Sequence, residues 1–135
     1  MDWKLEVVVV PVTDVDRAGR FYREQVGFTL DHDTRIGEHG RVVQLTPRGS
    51  GCSIVLGTGI PQGAPGSLRG LQLVVDDVAA ARAELAGRGV PVTEVRHVER
   101  DGRWAPGPGE PWNSFVFFED PDGNGWAVQE RPATP

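Results

Sequence analysis

The chain has 135 residues, of which 24% are charged and 39% hydrophobic, and a formal net charge of −5. This size and composition fit one compact globular domain, and the acidic balance argues against a nucleic-acid partner, which usually needs a basic face. No apolar run approaches the roughly 20 residues of a membrane span, Met1-Asp2-Trp3-Lys4 lacks the pattern of a secretion signal, and the single cysteine, Cys52, fits a reducing cytoplasm.

Leu5 to Val12 is rich in β-branched residues and reads as a strand buried on both faces. Pro11 removes one donor from it, which predicts an edge or a bulge there. Asp14 is placed to cap a helix from Val15 to Gln25. Val15, Ala18, Phe21, Tyr22 and Val26 fall on one stripe of it, and Gly27 stops it. Phe28–His32, Arg41–Thr46 and Ser53–Leu56 read as three further short strands, with a polar turn over Arg35–Gly40. Cys52 reads as a small core residue. Gly57 to Gly70 contains five glycines and two prolines and reads as a linker.

The order then repeats. Leu71–Val75 is a strand, Asp77-Val78 matches Asp14-Val15, and Val78–Gly87 is an alanine-rich helix. Val90–His97, Asn113–Glu119 and Trp126–Glu130 complete a second set of strands. Asp120-Pro121-Asp122-Gly123-Asn124-Gly125 is a strong turn between the last two, and Arg131–Pro135 reads as a frayed tail. Two β-α-β-β-β modules result, module one over residues 3–57, a linker over 58–69 and module two over 70–131. Modules of this size are too small to stand comfortably alone, which predicts a single α+β domain over 1–135.

The paired modules, the Asp-Val start of each helix, Phe21-Tyr22 and the Glu119-Asp120-Pro121-Asp122-Gly123-Asn124 turn together resemble the vicinal oxygen chelate superfamily. Its members include glyoxalase I, the bleomycin-resistance proteins and the extradiol dioxygenases. The resemblance implies two modules whose curled sheets surround a central cavity, and a homodimer. In metal-dependent members, inward-facing positions on the first and fourth strands of each module hold a divalent ion through His, Glu or Gln. Carried over by motif, those positions are Val7, Val55, Gly70 and Ala127. None has a donor side chain, so neither a metal nor another cofactor is expected.

The three histidines, His32, His39 and His97, are too scattered to rebuild such a site. His97 lies near Glu99 and Asp101 and is the one candidate for a catalytic base. Strand alternation points Val7, Val9 and Val55 toward the cavity together with Gln44, Gln72 and Gln129, three amides set in apolar strands. Such amides either bond among themselves or orient a ligand. The segment from His97 to Asn113 is long for a connection and carries Trp104 and Trp112, which either plug the cavity or stack on a planar ligand. Arg100 and Arg103 are candidates to face an anion. Trp3 and Trp126 read as core or interface residues.

The expected function is a metal-free binding protein that sequesters or carries an aromatic or hydrophobic small molecule. The alternative is an enzyme of the same fold, a lyase, isomerase or dioxygenase, and a third reading is an interaction domain with a filled cavity.

Overall fold

The computed structural model describes residues 1–133. The chain divides into two compact units. One comprises Met1–Leu68 with Asp120–Asn124, the other Arg69–Glu119 with the residues from Gly125 on. The boundary falls at the end of the expected linker rather than at its start. The linker counts with the first unit because its backbone is bonded there: Gly66 N–H donates to the Pro11 carbonyl and Leu68 N–H to Asn124 Oδ1, each at 3.0 Å.

In the first unit, β1 spans Val7–Val9, shorter than Leu5 to Val12. It ends because Pro11 has no N–H to continue the ladder, and the Pro11 carbonyl turns instead to Gly66 and Asn124. Leu5 and Trp3 precede the strand and are exposed, so Trp3, 87% exposed, is not a core residue. Asp14 caps α1 (Val15–Arg20), accepting from Arg17 N–H at 3.0 Å. The expected single α-helix changes after Arg20 into a π-helical segment, Phe21–Val26, closed by Gly27 at φ 94°. The wider turns carry the consecutive residues Phe21 and Tyr22 into the core, where Tyr22 meets Phe21 edge-on and stacks on Phe28.

The remaining strands of this unit are β2 (Thr29–Ile36), β3 (Gly40–Thr46) and β4 (Ser53–Thr58). β2 runs four residues past His32, so Arg35 lies in a strand and the turn is tighter than expected. The sheet order is β1-β4-β3-β2, with β1 parallel to β4 on one edge. Val43, Leu45, Ile54 and Leu56 are buried beneath the helix.

The Asp120–Asn124 turn locks into this unit. Tyr22 Oη donates to Asp120 Oδ2 at 2.8 Å, and Asp120 Oδ1 accepts from the backbone of Asp122 and Asn124. Asn124 is fully buried and donates to the Pro11 carbonyl and to Asp120 Oδ2. Thr13 donates to Asp122 Oδ1 through both backbone and hydroxyl.

In the second unit, β5 (Leu71–Val75) and α2 (Val78–Gly87) have the expected bounds. The expected strand from Val90 to His97 survives only as β6 (Arg96–Val98). Pro91 interrupts it, leaving Val92 as an isolated bridge to Phe118. Trp104–Pro106 forms β7, which pairs with β6 as a hairpin, so the segment after His97 is partly sheet. β8 is Phe115–Glu119 and β9 Gly125–Glu130. The order is β5-β9-β8-β6-β7. Val116, Phe118, Trp126 and Val128 are buried on the α2 side, with Phe118 stacked on Trp126 at 5.9 Å. The expected tail is tied down at its start, since Arg131 N–H donates to the Val75 carbonyl. The last two residues of that expectation lie outside the described ones.

Candidate functional site

Each sheet has one face covered by its helix and one without a helix. On the second sheet, alternation puts Leu71, Leu73, Val116, Phe118, Trp126 and Val128 on the helix side. Gln72, Val74, Phe115, Phe117, Ala127 and Gln129 therefore share the opposite, open face. Residues of the two sets differ in burial in the same rhythm.

An apolar groove of about 590 Å3 lies at the Gly70–Gly125 end of this sheet, where Phe117 and Ala127 of the open face and Phe118 and Trp126 of the helix side all border it. Gly70, Ala127 and Phe117 line it, together with Thr93 and the charged Arg69 and Glu119. Gly70 and Ala127 are the two module-two positions at which the family resemblance implies metal ligands. Here one has no side chain and the other a methyl group. Val7 and Val55, the corresponding positions of the first unit, are likewise without donor atoms. Among the described residues, no three His, Cys, Asp or Glu side chains gather to hold an ion. These residues do not fit a metal.

Phe117 joins the groove to an aromatic cluster. Trp104 stands edge-on to both Phe115 and Phe117, at 5.4 and 5.2 Å, and the two phenylalanine rings lie nearly parallel. Trp104 remains half-exposed. Edge and face contacts of this kind leave aromatic surface available to a further ring. Phe115 and Phe117 were not among the expected contacts. The Phe-Val-Phe alternation of β8 was the signal for them, since it sets both rings on one face.

The expected residues fall into two groups. In the first unit, Val9, Val55 and Gln44 stand in one cross-strand row, and Val7 lies two residues along the same face. Gln44 Nε2 donates to Asp31 Oδ2 at 3.3 Å, and the Thr46 hydroxyl donates to the same oxygen. Asp31 reaches them because it is the extra residue of a bulge between Leu30 and His32. In the second unit, Gln72 Nε2 donates to Gln129 Oε1, and Gln129 Nε2 to the Trp112 carbonyl, each at 2.7 Å. Trp104 shares their face through Phe115 and Phe117. None of Gln72, Trp104, Trp112 or Gln129 lines the groove itself.

His97 sits on β6 with both ring nitrogens engaged. Nδ1 donates to the Gly107 carbonyl at 2.8 Å and Nε2 lies 3.3 Å from Glu99 Oε1. The Gly107 carbonyl first, and Glu99 after it, hold its pKa above the ordinary histidine value against the opposing effect of burial. This arrangement suits a strut more than a free base. Arg103 is paired with Asp101 at 2.7 Å and is largely exposed. A smaller cleft of about 130 Å3 in the first unit is lined by Asp16, Arg20, Arg23, Asp33 and Arg41. Arg41 bonds Asp33 and Asp16, each at 2.8 Å, and through those bonds lowers the pKa of both carboxyls.

Known proteins share the sequence pattern and the fold. The family model described as the Glyoxalase/Bleomycin resistance protein/Dioxygenase superfamily matches residues 4–128. The chain is similar to TnmS3, an antibiotic binding protein from Streptomyces sp. CB03234, with 40% identity and a TM-score of 0.77, covering 96% of this chain and 97% of that one. It is also similar to a glyoxalase/bleomycin resistance protein from the same organism, with 41% identity, a TM-score of 0.73 and coverage of 93% and 99%. A superfamily member from Sphaerobacter thermophilus DSM 20745 is 25% identical with a TM-score of 0.75, covering 96% of this chain and 98% of its own. Among curated proteins no match was found.

Proposed function

The chain belongs to the glyoxalase/bleomycin resistance protein/dioxygenase superfamily, and from that premise we propose that it is a metal-free small-molecule binding protein. It sequesters or carries an aromatic or otherwise hydrophobic compound. The observation that carries this reading is the apolar groove at the end of the second sheet, which Phe117 joins to the Trp104–Phe115–Phe117 cluster on the open face. Its volume lies within the range of small-molecule sites, which are mostly apolar with a few polar groups at fixed places. The description of TnmS3 as an antibiotic binding protein supports the same class of ligand.

Binding needs no reactive group here. A planar ring that enters the groove removes apolar surface from water, worth about 25 cal/mol per Å2, and adds edge or face contacts with Phe117 and Trp104. Val7, Val9, Gln44 and Val55 are proposed as ligand contacts on the first unit's own open face, with Asp31 holding the Gln44 amide in place. The protein is proposed to act as a homodimer in the cytoplasm. The lone Cys52 suits that compartment, and among the described residues no helix is long and apolar enough to cross a membrane.

The test is a fluorescence titration with 1-aminoanthracene, a neutral planar probe. The expected result is saturable binding that Phe117→Ala weakens about tenfold, equivalent to about 1.4 kcal/mol. Binding that does not saturate, or that ignores Phe117→Ala, overturns the reading.

A further inference from the structure

Among the described residues, Trp112 is the only one other than glycine with a positive φ, at 68°. A bulky residue is strained there because its Cβ crowds the backbone. Such strain persists only where the surroundings over-determine it. Here they do. The Trp112 carbonyl accepts from Gln129 Nε2, and Gln129 Oε1 accepts from Gln72 Nε2, so the turn is anchored to two paired strands. The next residue, Asn113, clamps Val98 from both sides, accepting from its N–H and donating to its carbonyl, each at 2.9 Å. Gly109 N–H donates to Ser114 Oγ, and His97 holds the Gly107 carbonyl.

All this fixation serves a side chain that is 52% exposed. Glycine would adopt the same backbone without strain, so the turn does not account for the indole, and burial accounts for only half of it. We propose that Gln72 and Gln129 are positioning residues. Through the Trp112 carbonyl they hold the backbone of the turn at the Gln129–Phe115 end of the open face, so that the indole stacks on the part of the bound aromatic compound that extends beyond the groove. The Gln129 amide is committed at both ends, to Gln72 and to the turn, so recognition passes from the glutamine to the ring it sets. This rests on the reading of the open face as the binding site.

Two substitutions separate the roles. Gln129→Glu keeps the acceptor for Gln72 and removes the donor to Trp112. Trp112→Gly keeps the turn and removes the ring. With 1-aminoanthracene as probe, each is expected to raise Kd about tenfold, and the double variant no more than either alone, because both act through one group. Trp112→Phe is expected to restore most of the affinity, and thermal melts establish that each variant is folded. Additive losses would mean that Gln129 touches the ligand directly and would overturn the proposal. An unchanged Kd for Trp112→Gly overturns it as well. If Phe117→Ala weakens binding while Gln129→Glu and Trp112→Gly do not, the binding reading stands and the positioning role fails. If none of the three matters, both fail.

Discussion

Asp120 shows how one residue can fix a fold. Its carboxylate is buried and accepts four hydrogen bonds, from Tyr22, two backbone amides and Asn124. Removing one donor from a buried acceptor costs more than the bond's net worth, because the acceptor stays desolvated. Tyr22→Phe is therefore expected to destabilise the protein by about 1–3 kcal/mol. Urea denaturation should show a lower midpoint with an unchanged slope, and an unmoved midpoint would refute the role given to the hydroxyl. Both partners were visible in the sequence as parts of motifs, Phe21-Tyr22 and the Asp-Pro-Asp-Gly-Asn turn. Their meeting was not, because the two are 98 positions apart and no local pattern encodes a contact of that range.

At the scale of elements, the β6–β7 hairpin is where sequence and structure diverge most. Pro91 breaks the expected long strand, and the segment after it regains order through side chains, chiefly His97 and Asn113, rather than through a continuous ladder. His97 gives this arrangement a pH dependence. Its hydrogen bonds to Gly107 and Glu99 raise its pKa in the folded state above the ordinary 6.5. A raised pKa means that the fold prefers the charged ring. Its contribution is fully present below the ordinary value and is lost as pH climbs through the raised one. The difference in melting temperature between the protein and His97→Ala should accordingly be largest in mildly acidic buffer and shrink as pH increases. A gap that widens with pH would contradict the assignment. The helices were easier to read. Asp14 caps its helix as expected, and Asp77, its counterpart in the repeat, does the same, each accepting from the amide three residues on at 3.0 Å, since a cap is decided within one turn. The π-helical continuation of α1 was not legible, because it depends on where Phe21 and Tyr22 must go in the core rather than on local propensity.

At the scale of the whole molecule, the expected absence of metal ligands becomes a measurable property. Val7, Val55, Gly70 and Ala127 offer no donor side chain. Protein incubated with excess zinc, nickel, iron or manganese and then desalted is expected to retain none, and a chelator should leave 1-aminoanthracene binding unchanged. One tightly held ion per chain would reopen the enzymatic alternative. The superfamily was legible because its marks are short-range: the repeated strand-to-helix start, the capping aspartates and the aspartate-rich turn. Alternation along β9 set Gln129 on the same side as Ala127, but that β5 lies beside β9 with Gln72 opposite Ala127 was legible only in the structure.

The sequence by itself determined the repeated strand-to-helix start, the Asp14 cap and the aspartate-rich turn, because each follows from periodicity, capping or turn chemistry within a short window, and through the family these marks resemble it implied four positions without donor side chains. Only the tertiary structure decided that Gly70, Ala127 and Phe117 enclose one groove and that Phe115 and Phe117 carry Trp104. It also decided that Gln72 bonds to Gln129 and Gln129 to a strained tryptophan turn. Those facts depend on which strands lie side by side and in what register. Register is set by the packing of whole faces and cannot be read from any one strand alone.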